Sequence, residues 1–276
     1  MRRVVLYIVY GDDQTYYDGA KFSFLTFMNW TVEKDSIEYV VLTEKPTEFS
    51  DYPVTVLSIS PEQKKEWSLN GKYHFRIKNK GMSYIIKELG LVDSDKIIFF
   101  DTDTYFKNSP LNLFNLINEK QALLYLNEGL IYSRRRFNVY IKSLENVPIK
   151  IDNELYLLSK KSSMWGSLMV GLMPNMLSRL DWADKLMLKF VELVPAHTIE
   201  PFSLAESLIR KFSIVEGKKY VSLYSTSRKK DFCRGILKNF FLEYHSYPLN
   251  EQIILAQKVK MKRPLFVVLK QRFFDN

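Results

Sequence analysis

Cysteine is nearly absent: Cys233 is the only one in 276 residues, which excludes an intramolecular disulfide and any cysteine-rich zinc site. A lone thiol fits a reducing compartment, so a cytoplasmic location is expected. No segment repeats and no glycine- and serine-rich linker divides the chain. A single domain over residues 1–246 is therefore expected, with residues 247–276 as a basic and aromatic appendage. No apolar run reaches the roughly 20 residues that a membrane-spanning helix needs. The run over residues 4–10 follows a basic start, but it is short, lacks a small-residue cleavage site and ends in Gly11-Asp12-Asp13. It reads as a first core strand and not as a signal peptide.

Hydrophobic residues make up 46% of the chain and charged residues 26%, enough to build a substantial core without staples. The formal net charge of +9 means attraction to polyanions, whether nucleotides, acidic lipids or nucleic acid. Charge alone does not choose among them.

The first hundred residues alternate strand and helix patterns. Residues 4–10, 37–43 and 54–59 read as strands, and residues 15–30 as an aromatic-rich helix. Met82, Ile85, Ile86 and Leu89 recur at helical spacing ahead of a further strand that ends at Asp101. Strands alternating with helices imply an α/β fold with a mostly parallel sheet, whose ligands sit beyond the carboxyl ends of the strands. Both Gly11-Asp12-Asp13 and Asp101-Thr102-Asp103 fall at such ends. Further on, residues 111–117 look helical, 122–126 extended and 163–173 strand-like, followed by an amphipathic helix to about residue 193. Arg134-Arg135-Arg136 opens a polar stretch, and Ser203-Leu204-Ala205-Glu206 has the spacing of a capping box at a helix start.

The run Lys96-Ile97-Ile98-Phe99-Phe100 delivers Asp101 and Asp103 to the end of a buried strand. With the backbone extended through Thr102, side chains at i and i+2 point the same way, and the two anions call for a cation between them. Mg²⁺ and Mn²⁺ are commonly held by one or two carboxylates together with substrate phosphates. Such an ion neutralises a phosphorylated leaving group, which is chemistry for a nucleotide-activated donor. The plain rival is an aspartate pair that merely opens a turn.

Tyr73-His74-Phe75-Arg76-Ile77-Lys78, then a helix, then the strand ending in Asp101-Thr102-Asp103-Thr104, then Ser109-Pro110-Leu111-Asn112-Leu113-Phe114, resembles the core of GT-A-fold glycosyltransferases. The nearest flavour is the retaining family of bacterial lipopolysaccharide galactosyl- and glucosyltransferases and glycogenins. Trp165-Gly166-Ser167-Leu168-Met169-Val170-Gly171 is similar to that family's later Asn-x-Gly strand, without the asparagine. The resemblance implies a GT-A-like fold and a divalent metal, Mn²⁺ or Mg²⁺, on Asp101 and Asp103, with Asp103 also counted as catalytic. It implies a nucleotide-sugar donor, with a UDP-sugar expected, and a saccharide or glycolipid acceptor. The family's late His-x-x-Gly-x-x-Lys-Pro-Trp segment is missing. Residues 220–230 stand in its place, with Lys229 or Lys230 toward the pyrophosphate, and His245 is the candidate third metal ligand.

Around this core the expected donor contacts are Tyr10, Gly11 and Asp12 at the nucleobase, Thr102 between the two acids, and Arg76. Arg76 and Lys80 lie four apart on one helix, a like-charge pair that costs a few tenths of a kcal/mol unless an anion lies over it. Trp165 and Gly166 could face a sugar, and Ser167 an acceptor hydroxyl; core packing is the rival for Trp165. If the reaction inverts configuration, Glu200 is the candidate base, since Glu206 is accounted for by the capping box. If it retains configuration, no nucleophile can be named. The basic and apolar residues from 251 to 274 fit either an anionic membrane surface or a helix packed on the domain. A haloacid-dehalogenase-type phosphatase also carries Asp-x-Asp, but its motif expects Thr or Val where Tyr105 stands. A nucleic-acid binder would leave the acid pair unexplained, so no nucleic-acid partner is expected.

Overall fold

The computed structural model describes residues 1–31 and 36–263. The first half runs β1 (Arg3–Val9), α1 (Gln14–Met28), β2 (Ile37–Thr43), β3 (Thr55–Ser58), α2 (Pro61–Trp67), α3 (Arg76–Glu88) and β4 (Lys96–Phe100). The second half adds β5 (Thr104–Tyr105), β6 (Gln121–Leu130), α4 (Asn138–Leu144), β7 (Ile149–Ile151), β8 (Glu154–Tyr156) and β9 (Ser163–Leu172). It ends in α5 (Leu177–Leu193), α6 (Ile199–Leu208), β10 (Ser213–Glu216), β11 (Ser222–Leu223), α7 (Ser227–Tyr244) and α8 (Leu249–Lys258).

Seven strands form one sheet in the order β10-β6-β9-β4-β1-β2-β3. All of its pairings are parallel except those of β9, which runs against both β4 and β6. This is an α/β, mostly parallel mixed sheet flanked by helices, consistent with a GT-A-like nucleotide-binding fold.

Strand alternation builds both faces of the core. Val4, Leu6 and Ile8 of β1 join Ile97 and Phe99 of β4 on the face covered by Ile77 and Ile85 of α3, Leu180 of α5 and Leu204 of α6. Val5, Tyr7 and Val9 join Ile98 and Phe100 on the face covered by Leu25 and Phe27 of α1 and Leu237 of α7. There the rings of Phe27 and Phe100 each meet Phe106 edge-on, with centroids 5.0 Å apart in both pairs. A third apolar cluster joins α4, α5, α6 and the β7–β8 hairpin through Tyr140, Phe190, Phe202 and Tyr156.

The connection from β1 to β2 places α1 on one face, while the connection into β4 places α3 on the other. Because β1 and β4 are parallel neighbours, with Tyr7 opposite Phe100, their carboxyl ends open side by side where the chain reverses direction across the sheet. That crevice is where Tyr10 and Asp101 emerge.

One local expectation is overturned. Ser203 does not cap a helix: α6 already begins at Ile199, and Ser203 lies inside it, fully buried with its hydroxyl unpartnered. Glu206 instead accepts from the Ser162 hydroxyl at 2.9 Å. A capping box does form at the start of α2, between Ser60 and Gln63. The helix over 111–117 is a 3-10 turn, Leu111–Leu116. Within the described part of the C-terminal segment, Gln257 donates to the Thr26 carbonyl of α1 and Met261 is buried in the core. Residues 264–276, where the basic and aromatic run continues, lie outside the described residues. Among the described residues no helix is long and apolar enough to cross a membrane.

Burial pushes the Glu206 carboxyl up to about 7, against the hydrogen bond from Ser162, the neighbouring Tyr156 hydroxyl and the charge of Arg210. Its folded-state value lies above its unfolded one, so the stabilisation it contributes is complete below the ordinary glutamate range. That stabilisation is lost as pH rises through about 7. Glu206→Gln is expected to remove this slope, by roughly 3 kcal/mol at most. Urea unfolding at about pH 5 and about pH 8 checks it; an unchanged slope in the variant would assign the titration to another group.

Candidate functional site

Asp101 and Asp103 line one cavity of about 330 Å³ at the carboxyl ends of β1 and β4. The backbone between them is not extended as the spacing suggested. Thr104 closes a turn, its N–H and its hydroxyl both donating to the Asp101 carbonyl, at 3.2 and 2.7 Å. The two carboxylates nevertheless reach the same space, because the turn swings both toward the crevice.

The turn is gripped from outside. The Asp101 N–H donates to the Leu168 carbonyl of β9 at 2.8 Å, and β5 pairs with β11 immediately beyond the turn. From β11 the chain passes to Tyr224, whose N–H donates to the Asp103 carbonyl and whose hydroxyl donates to the Thr102 carbonyl. Gly19 of α1 lies against the same carbonyl: a Cβ there would stand 2.4 Å from the Thr102 oxygen and 2.9 Å from the Tyr224 hydroxyl. Glycine lets the helix approach that closely.

Two ammonium groups meet the two acids. Lys78, in the first turn of α3, is buried, with Nζ 3.4 Å from Asp101, 3.3 Å from Glu200 and 3.1 Å from the Ser167 hydroxyl. Lys230 of α7 places its Nζ 3.4 Å from Asp103, whose other carboxylate oxygen is buried without a partner. Burial alone would depress Lys78, but Asp101 and Glu200 outweigh it and hold the ammonium above the ordinary lysine value. Burial pushes the Asp101 carboxyl up to about 6; Lys78 opposes this, while Asp103 and Glu200 reinforce it. Three carboxylates thus share one buried cation and its neighbour.

The remaining walls are mostly aromatic, with Ile8, Val9 and Thr102 beside the rings. Tyr10, Tyr16, His74 and Phe75 line the cavity, with the Tyr10 hydroxyl donating to the His74 carbonyl at 3.1 Å. Gly11 turns the chain at φ +96, and its N–H donates to Glu44 at 2.6 Å. Asp12 is exposed, with the Lys45 ammonium 3.8 Å away. Asp13 caps α1 by accepting from the Thr15 N–H.

Several expected contacts are redirected. Arg76 does need an anion, but the anion belongs to the protein: its guanidinium grips Asp184 of α5 in a bidentate pair at 2.6 and 2.8 Å and also donates to the Glu66 carbonyl. Lys80, one helical turn on, lies 4.0 Å from the same Asp184, so both cations face α5 and not the cavity. Lys229 turns its ammonium onto the Leu223 carbonyl, which leaves Lys230 as the cation at the acids. His245 caps the end of α7 beside Gln252 and lines a separate cleft with Gln14 and Asp18, not the cavity of Asp101 and Asp103. Trp165 is buried, with its indole N–H on Ser163, so it packs in the core; Gly166 beside it faces Tyr125 and Glu128. Ser167 donates to Glu200 at 2.8 Å. Glu200 itself is only 1% exposed, holds Lys78 from behind and is not among the residues that line the cavity.

Sequence reasoning passed over Lys78, Tyr16, His74 and Phe75. The run from Tyr73 to Lys78 contained the signal, but a helix presents residues two apart on different faces. Which of Arg76 and Lys78 met the acids depended on where α5 packs.

The donor set fits a hard divalent ion. It offers carboxylate oxygens alone, one of them buried and unpartnered, on two acids that share a cavity. Among the described residues no group of three acidic, histidine or cysteine side chains gathers, so phosphate and water oxygens would complete the coordination. No protein-family model matches the chain, and no curated protein matches it.

Two outcomes are expected. Arg76→Ala leaves Asp184 without its guanidinium and should cost about 3 kcal/mol in urea unfolding; wild-type stability together with lost nucleotide binding would return Arg76 to the site. Gly19→Ala forces α1 and the Thr102 carbonyl apart and should cost about 1–3 kcal/mol. Calorimetric melting unchanged from wild type would mean that the turn yields freely.

Proposed function

We propose that the chain is a metal-dependent glycosyltransferase that moves a hexose from a nucleotide sugar, with a UDP-sugar as the expected donor, to a hydroxyl of a saccharide or glycolipid. The observation that carries this reading is one cavity at the switch point of a mostly parallel sheet that combines two carboxylates, two lysines and five aromatic or imidazole rings. Such a lining matches the parts of a nucleotide diphosphate sugar in turn.

The rings of Tyr10, Tyr16, His74 and Phe75 would pack against the nucleobase. Lys78 and Lys230 would face diphosphate oxygens, and the Asp101 and Asp103 carboxylates would hold Mn²⁺ or Mg²⁺. That ion supplies charge neutralisation as the bond from sugar to phosphate breaks. Glu200 and Ser167 keep the Lys78 ammonium in place, so its charge is preorganised before donor arrives and needs no rearrangement during the reaction. The acids alone would repel a diphosphate, and the lysines alone would bind one without a metal; their pairing supports a site built for both. We place the reaction in the cytoplasm, with peripheral contact with an anionic membrane when the acceptor is a glycolipid.

A screen of nucleotide sugars with Mn²⁺, read as release of free sugar and as a thermal shift with the matching nucleotide, tests the reading. Asp101→Asn and Asp103→Asn are each expected to lower turnover about a hundredfold or more while leaving the protein folded. Hydrolysis of simple phosphomonoesters with no action on any nucleotide sugar would replace this proposal with a phosphatase.

A further inference from the structure

On the far side of β5 and α7 a second cavity, of about 780 Å³, opens between α1, the residues after β5, α7 and the chain that follows α8. Its floor is apolar: Phe22, Phe106 and Met261 are buried, and Phe232 is half-buried. Its rim is cationic, with Lys107, Lys258, Lys260 and Lys262 all exposed. None of these four lysines makes an ion pair among the described residues, and no acidic side chain lines the cavity. The crowding is felt next door, where burial first, and then the charges of Lys107 and Lys262, hold Lys229 below the ordinary lysine value.

Like charges gathered around an apolar hollow favour an anion from outside with an apolar part to enter the hollow. A second copy of the chain, at net +9, brings the wrong sign. The sequence of residues 264–276 holds two cationic side chains, Lys270 and Arg272, and one acidic side chain, Asp275, so its side chains carry no excess of negative charge. A nucleic-acid base would need an exposed ring to stack on, whereas the rings of Phe22, Tyr105 and Phe106 are buried and only Phe232 is half-exposed.

We propose that this cavity docks a phospholipid with an anionic headgroup, its phosphate among Lys107, Lys258, Lys260 and Lys262 and its upper acyl chain against Phe232 and Val259, both half-buried. β5 begins immediately after Asp103, so a lipid held here sits one short strand from the donor cavity. The docking does not depend on the donor chemistry, and it fails or stands separately from it.

The test is flotation of the full chain with vesicles of phosphatidylcholine alone and of phosphatidylcholine mixed with an equal part of phosphatidylglycerol, with and without added inorganic phosphate. Binding is expected only to the mixed vesicles. The fourfold variant Lys107→Gln, Lys258→Gln, Lys260→Gln, Lys262→Gln should weaken it about a hundredfold or more, since each cation near an anionic surface is worth about fivefold. Phe232→Gln should weaken it with the charges intact, a change that simple attraction to a charged surface would not register. Circular dichroism and thermal melting check that both variants remain folded. Equal flotation of wild type and the fourfold variant overturns the proposal. So does full competition by inorganic phosphate at constant ionic strength, which would mean a site for free anions, or retention by a single-stranded oligonucleotide and not by vesicles.

Discussion

The buried ammonium of Lys78 is the constraint on which the site depends. Four elements meet around it: α3 supplies the lysine, β4 delivers Asp101, β9 supplies Ser167 and α6 supplies Glu200. A charge taken out of water without partners is costly enough to neutralise or unfold its surroundings. These elements must therefore dock together for the lysine to be tolerated. The same geometry aims a positive charge at the crevice between β1 and β4, so packing and electrostatics have one solution.

The second constraint is the placement of the Asp101–Thr104 turn. It is held from the sheet by the Leu168 carbonyl and from α1 by the close approach at Gly19. A segment more than a hundred residues later holds it through Tyr224 and the β5–β11 pair. Lys230 arrives with that late segment, so half of the positive charge at the acids comes from the far end of the chain. A rigid turn lets two carboxylates face one space although the backbone between them is not extended.

The excess of positive charge is divided by its surroundings. Lys78, Lys230 and Arg76 each meet a carboxylate, and their roles follow from which carboxylate it is. The lysines beyond β5 and α8 meet none among the described residues and border an apolar hollow. A positive side chain is therefore paired with a carboxylate at the cavity, tied to a neighbouring helix or left exposed beside an apolar hollow, according to neighbours that composition does not reveal.

Periodicity made the early strands, the α1 and α5 helices and the acid pair at the end of β4 legible, because alternation and helical spacing are local properties of the chain. It also made legible that Arg76 and Lys80 needed an anion. It did not reveal that Asp184 would be that anion, that Lys78 and not Arg76 would meet Asp101, or that Lys230 and not Lys229 would meet Asp103. Ser203 and Glu206 had the spacing of a capping box, yet the helix began four residues earlier. By itself the sequence determined the α/β class and brought two carboxylates to the end of a buried strand. Only the tertiary structure decided which cations and rings surround them, because the face a helix turns toward a site is set by what packs against its other faces.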